Sequence, residues 1–148
     1  MLKKEDFSIQ DFLPYLLHQA AEECSLTFQR IYKNRYGMLR TEWRVLFHLG
    51  TYGEMTATEI CTRARIHKTK VSRAVRKLVE RRILVRERSE EDRRVEKLKL
   101  TAVGRAAYRD LRSVAESYED ALRAEFTTDE VALLHVMLRR LAGLSGPK

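Results

Sequence analysis

The sequence predicts a mainly helical α+β chain whose middle carries a helix-turn-helix followed by a two-stranded hairpin, and three observations lead there. Residues 68–82 form a basic amphipathic segment: at 100° per residue, Val71, Ala74, Val75, Leu78 and Val79 gather on one face and Thr69, Arg73, Arg76 and Lys77 on the other. Ile83 and Val85, then Val95, Leu98 and Leu100, sit in short β-prone segments on either side of a charged turn at 89–94. Charge is also concentrated. Residues 63–99 hold 15 Lys and Arg against 6 Asp and Glu, while the whole chain holds 29 against 21, so the rest is nearly neutral. An amphipathic basic helix followed by a hairpin with a charged tip is the sequence shape of a winged helix-turn-helix able to meet a polyanion at two places.

The remaining elements follow in order. Asp11 is placed to cap a helix whose first turn tolerates Pro14, and Leu13, Leu17, Ala20, Cys24, Phe28 and Ile31 recur at spacings of three and four until about 34–37. A second helix opens at Thr41, carries Trp43, Leu46, Phe47 and Leu49, and is stopped by the segment 50–53. Thr56 with Glu59 three residues on fits a capping box for a short third helix, which turns at 65–67 into the basic helix. After the hairpin, Thr101 can cap a helix of more than twenty residues, and Thr127 with Glu130 repeats the capping box ahead of 131–141. The organisation expected is one unit over 1–148, with a winged helix at 37–101 and flanking helices at 9–35 and 102–143.

Bulk properties bound the function. A chain of 148 residues that is 44% hydrophobic can bury one real core. No apolar run reaches the roughly 18 residues of a membrane span, and the start MLKKEDFS is polar where a secretory leader would be apolar, so a soluble cytoplasmic protein with no membrane association is expected. Cys24 and Cys61 lie at no ligand or disulfide spacing, so neither a metal nor a cofactor is expected. An enzyme is disfavoured: no phosphate-binding, nucleophile-elbow or zinc-protease pattern occurs, and His18, His48, His67 and His135 are not set among carboxylates or cysteines at catalytic spacings.

For a duplex, the polar face of the basic helix is where bases would be read. Thr69 and Arg73, in its leading half, suit base edges in the major groove, with Lys68, Lys70 and Ser72 flanking them. Arg76 and Lys77, nearer the end, suit phosphates, which fix register without reading sequence. The hairpin tip mixes Glu90, Glu91 and Asp92 with Arg93 and Arg94. That combination suits an arginine, first Arg94 and then Arg93, entering the narrow minor groove while Asp92 holds its guanidinium.

The segment Asp92-Arg93-Arg94-Val95-Glu96-Lys97-Leu98-Lys99-Leu100-Thr101, with Gly104 after it, fits the wing pattern D-x-R-x-x-x-L-x-L-T-x-x-G. With Val71-Ser72-Arg73, the helix at 39–50 carrying Trp43, Thr56-Ala57-Thr58-Glu59-Ile60 and the ending at 127–141, it resembles the MarR-type (multiple antibiotic resistance regulator) transcription factors over nearly its whole length. The resemblance implies a homodimeric regulator of double-stranded DNA, usually a repressor, that recognises a pseudo-palindrome and is released by a small aromatic carboxylate, phenolic or thioester effector. It places the effector between the flanking helices and the winged region, which here points to His18, Phe28, Tyr36, Arg40 and Trp43. One departure is His67, where the family often has Asp or Ser: a neutral imidazole can accept a helix N–H, and a protonated one would oppose the helix dipole.

Partner burial is also asked for by the residues. Leu13, Leu17, Leu111, Val114, Tyr118, Leu122, Val131, Leu134, Leu138 and Leu141 can cover one another only partly in one chain, and a two-fold interface would hide the rest. Two other readings stand beside the ligand-released repressor. Oxidation sensing would need a reactive Cys24, yet this residue sits in an apolar stripe beside Glu22 and Glu23 and is expected to be buried. A winged helix used for protein contacts or for nonspecific DNA binding would share the fold but not the sequence preference.

Overall fold

The computed structural model describes residues 7–144; the polar start at 1–6 and the residues 145–148 lie outside the described part. The chain divides into two compact units, one ending at Arg112 and one beginning at Ser113.

In the first unit, a 3-10 turn, Ile9–Asp11, leads into α1, Leu13–Tyr36, with Pro14 in its first turn as expected. Asp11 does not cap α1. It is wound into the preceding turn, its N–H donating to the Ser8 carbonyl at 3.1 Å, and the cap position falls to Phe12. The helix stops at Gly37, whose φ of 64° closes the last turn in the left-handed region that favours glycine. α2, Arg40–Tyr52, begins one residue before Thr41. Its cap residue, Leu39, has no polar side-chain atom, so Glu42 does the work instead, its Oε2 accepting from the Leu39 N–H at 3.1 Å.

β1, Met55–Thr56, is followed by α3, Ala57–Ala64, where Thr56 Oγ1 accepts from the Glu59 N–H at 3.1 Å. Arg65 turns the chain at φ 55° into α4, Lys68–Glu80, which ends two residues short of the expected 82 because Arg82 takes φ 60°. β2, Leu84–Arg88, and β3, Glu96–Leu100, pair antiparallel from Leu84↔Leu100 to Arg88↔Glu96. The hairpin is not alone. β1 joins the other side of β3 through Met55↔Leu98, giving the order β1-β3-β2.

α5, Ala102–Arg123, starts at a tight joint with the hairpin. Thr101 Oγ1 donates to the Arg82 carbonyl at 2.6 Å and accepts from the Gly104 N–H at 3.0 Å. A Cβ at Gly104 would stand 2.0 Å from the Ile83 carbonyl oxygen, so this position needs glycine for close approach. The core gathers Val45 and Leu46 of α2, Ile60 of α3, Val71 and Leu78 of α4, Leu84 and Leu98 of the sheet and Leu111 of α5, all at most 1% exposed. Each such leucine contributes on the order of 1.5–3 kcal/mol by leaving water. The end of α1 belongs to the same core through Phe28 and Tyr32, whereas its beginning leaves Leu13, Leu16 and Leu17 exposed. Cys24 is exposed too, against the expected burial: the first half of the apolar stripe is left open by the chain itself.

The second unit holds the end of α5 and α6, Thr128–Leu141. Its capping box is complete: Thr127 Oγ1 accepts from the Glu130 N–H at 3.1 Å, and Glu130 Oε1 from the Thr127 N–H at 2.9 Å. None of the residues of α6 is buried, and Leu133, Leu134, Val136, Met137, Leu138 and Leu141 are all exposed. Among the described residues, no helix is long and apolar enough to cross a membrane.

Candidate nucleic-acid interface

The core face of α4 fixes the orientation of its other face. With Val71, Ala74, Val75 and Leu78 buried, Lys68, Thr69, Lys70, Ser72, Arg73 and Arg76 are exposed, and Lys77 is half-buried. The helix start is held by His67, whose Nδ1 accepts from the Thr69 N–H at 3.2 Å, as a neutral imidazole can. Lys70, Arg73 and Lys77 share a hollow of about 210 Å³ with Leu39, Thr41 and Glu42 at the start of α2. All seven predicted helix residues therefore lie on one surface, six of them open to solvent.

The hairpin tip is ordered by its own side chains. Ser89 N–H donates to the Val95 carbonyl and Val95 N–H to the Asp92 carbonyl, both at 2.9 Å. Asp92 then clasps Arg94 three times: Oδ1 accepts from the Arg94 backbone N–H and from Nε, each at 3.1 Å, and Oδ2 from Nη2 at 3.4 Å. Hydrogen bonds from the Arg94 side chain and backbone hold the Asp92 carboxyl below the usual carboxylate range, so it stays ionised. The Arg94 side chain is nevertheless 92% exposed. Asp92 is half-buried and Arg93 exposed, with the Arg93 carbonyl accepting from Arg88 Nη1 at 3.2 Å. A charged group presented in fixed geometry loses little side-chain freedom on contact.

Other positioning residues escape sequence reasoning. Arg44 Nη2 donates to the Ala64 carbonyl at 2.6 Å, tying α2 to the last turn of α3; burial pushes this guanidinium pKa down. Arg81 Nη1 donates to the carbonyls of Tyr36 and Gly37 at 3.2 and 2.8 Å and lies 3.5 Å from the buried Glu42, fastening the end of α4 to the end of α1. Only a charged residue on the inward side of a predicted helix, as Glu42 and Arg44 are, could have signalled this.

The five effector candidates are only partly assembled. Phe28 and Trp43 meet edge-on with centroids 4.9 Å apart, within a ring cluster that includes Tyr32 and Phe47. Arg40 already has a carboxylate, Glu22, at 2.8 Å, and this pairing lowers the Glu22 pKa. The Tyr32 hydroxyl is buried with no hydrogen bond of ordinary geometry, and burial raises its pKa against the opposing pull of nearby Arg40. His18 is exposed on α1. Tyr36 is drawn elsewhere: its hydroxyl donates to Asp110 Oδ2 at 2.6 Å, and burial, reinforced by that carboxylate, pushes it up to about 12.

This fold is a winged helix-turn-helix that presents a basic surface on α4 and an arginine at the hairpin tip. Residues 36–95 match the MarR family model. The chain is 26% identical over 118 residues to the uncharacterized HTH-type transcriptional regulator YwoH of Bacillus subtilis (strain 168), covering 78% of this chain and 85% of that protein. A MarR/EmrR family transcriptional regulator from Acinetobacter sp. ADP1 superposes with a TM-score of 0.83 at 26% identity, over 93% of this chain and 96% of that one. Bordetella bronchiseptica BpsR, solved to explain regulation of its DNA binding by 6-hydroxynicotinic acid, shares the fold at a TM-score of 0.82 and 20% identity, over 92% and 96% of the two chains. The chain is thus similar to the MarR-type winged-helix transcriptional regulators, in sequence over residues 36–95 and in fold over most of its length.

Proposed function

We propose that the protein acts in the cytoplasm as a homodimeric repressor that reads a pseudo-palindromic operator in double-stranded DNA and leaves it when a small aromatic or phenolic acid, or a thioester, binds. The observation that carries this reading is the pairing, in one compact unit, of an exposed basic face on α4 with an arginine pre-held at the tip of the hairpin. Thr69 and Arg73 read base edges, Lys68, Lys70, Ser72, Arg76 and Lys77 secure the backbone, and Arg94, steadied by Asp92 and seconded by Arg93, enters the minor groove. Two copies joined through their exposed apolar helices set the reading helices about one helical turn, roughly 34 Å, apart.

The effector reading is supported by the ring cluster of Phe28 and Trp43 beside Arg40, with His18 exposed on α1, and by BpsR, whose DNA binding is regulated by 6-hydroxynicotinic acid; Tyr36, held by Asp110, would have to turn to join it. An acid entering there exchanges with Glu22 on Arg40. Oxidation sensing is a second reading, favoured by the exposure of Cys24; peroxide should then release DNA from the native chain and not from Cys24→Ser.

Selection of duplexes from a random pool tests the main reading. A palindromic consensus should emerge, bound on the order of 10³-fold or more tighter than random DNA, with affinity falling steeply as salt rises. Equal binding to every duplex would reduce the protein to a nonspecific coat, and no binding at low salt would end the reading.

A further inference from the structure

Arg88 ends β2 directly opposite Glu96 of β3, yet the two charges go separate ways. Glu96 lies beside Arg86, its Oε1 3.8 Å from Nε, while Arg88 reaches forward and its Nη1 donates to the Arg93 carbonyl at 3.2 Å. That carbonyl belongs to the same peptide group as the Arg94 N–H, which donates to Asp92 Oδ1 at 3.1 Å. One rigid peptide plane is therefore held at both ends, by a guanidinium on its oxygen and a carboxylate on its nitrogen.

The other bonds of the tip stop short of this peptide. Ser89 and Val95 pair across the end of the hairpin, Val95 N–H donates to the Asp92 carbonyl, and Asp92 N–H donates to Ser89 Oγ at 3.4 Å. They fix the two sides of the turn, and a peptide between two soft dihedrals still rotates as a unit unless its own polar atoms are held. Arg94 has 92% of its side chain in solvent, so packing does not aim it. Its direction follows from the peptide it hangs on and from Asp92.

The geometry points to Arg88 as a positioning residue for the hairpin tip: by holding the peptide between Arg93 and Arg94, it aims Arg94. The consequence for the minor groove rests on the DNA-binding reading; the ordering of the tip does not. A strand arginine this close to a duplex would ordinarily touch phosphate, which strengthens binding to every sequence alike. A brace leaves another signature. Its loss is felt where Arg94 is felt, at base pairs beneath the wing, where an arginine in the narrow groove favours A·T-rich over G·C-rich sequence.

Two measurements on the full-length protein test this. Without DNA, the ¹⁵N heteronuclear NOE of the Arg94 amide should match the amides of β3, and it should drop in Arg88→Met, which keeps the stem and removes every donor. Arg88→Lys should restore it. An NOE that Arg88→Met leaves unmoved would overturn the brace, whatever the protein binds. With DNA, Arg88→Met should cut the preference for A·T-rich over G·C-rich flanks about fivefold, as loss of one charge-assisted hydrogen bond allows. In an Arg94→Ala background at physiological salt, the same change should alter affinity by less than about twofold. Equal losses in both backgrounds, with a salt slope shallower by about 0.9, would make Arg88 a phosphate contact and overturn its positioning role. A native chain that prefers no duplex would sink the DNA reading alone, and the NOE would still decide the brace.

Discussion

α4 and α6 carry apolar residues at the same helical spacing and meet opposite fates. In α4, Val71, Ala74, Val75 and Leu78 are buried by α2, α3 and the sheet; in α6, Leu134, Leu138 and Leu141 recur just as regularly and none is buried. An amphipathic stripe specifies that a face must be covered, not what covers it. The winged region finds its cover within the chain. The carboxy-terminal unit is left with an exposed apolar patch of the kind that marks an interface.

The largest effects should separate these two regimes. Leu46→Ala, at a fully buried site, should cost about 2–5 kcal/mol of stability in urea unfolding, whereas the pair Leu134→Glu and Leu138→Glu should halve the mass seen by light scattering and leave the near-ultraviolet signal of Trp43 in place. Loss of that signal together with the mass would mean that the winged region does not stand by itself. Substitution is the right probe, because cutting away α1 would take Phe28 and Tyr32 out of the core.

Next in size is the contrast within α4. Arg73→Ala should cost on the order of 1–3 kcal/mol on the selected duplex and relax preference at one base pair per half-site, while Lys77→Ala should weaken selected and random DNA alike. Equal losses from Arg73→Ala on both would place that residue on phosphate instead. Smaller again are the caps: Thr56→Ala and Thr127→Ala should each cost about 1 kcal/mol in thermal unfolding. The second loss should grow as the protein is diluted if α6 depends on a partner copy, and a concentration-independent loss would argue against that dependence.

The smallest effect concerns acid. The Tyr36 hydroxyl first, then Arg35, hold Asp110 below the usual carboxylate range. A lowered folded value means stability that is present above the unfolded Asp pKa, about 3.9, and lost as pH falls through the folded one. Asp110→Asn should therefore flatten the acid limb of the stability curve below about pH 4; an unchanged limb would show the contact to be idle. Tyr36 works in the opposite sense: pushed up to about 12, it gives stability that is lost only as pH rises toward that value.

Much of the fold was legible because α4, the hairpin and the two threonine caps announce themselves through periodicity and local hydrogen bonding. What was not legible shares a cause. β1 is two residues long, too short for any alternation, and exists only because β3 lies beside it. The start of α2 has no polar cap residue, since Glu42 reaches back to do that work. Asp11 has the right chemistry one residue too early. Cys24 lies in a stripe whose second half is covered by the same chain and whose first half is not, and nothing in the stripe itself distinguishes the halves. At the candidate site, the exposure of the α4 residues and the Asp92 clasp were foreseeable from local pattern; the roles of Arg44 and Arg81 depend on carbonyls twenty or more residues away, or on α1, and were not.

The joint at Thr101 and Gly104 limits how this chain can vary over generations. With the Ile83 oxygen 2.0 Å from where any methyl at residue 104 would sit, no replacement of this glycine is accommodated unless the turn at Ile83 and α5 move apart together. Descendants of this gene are free to re-colour the tip of the hairpin and so retune what it touches, while the hinge on which it is mounted stays fixed.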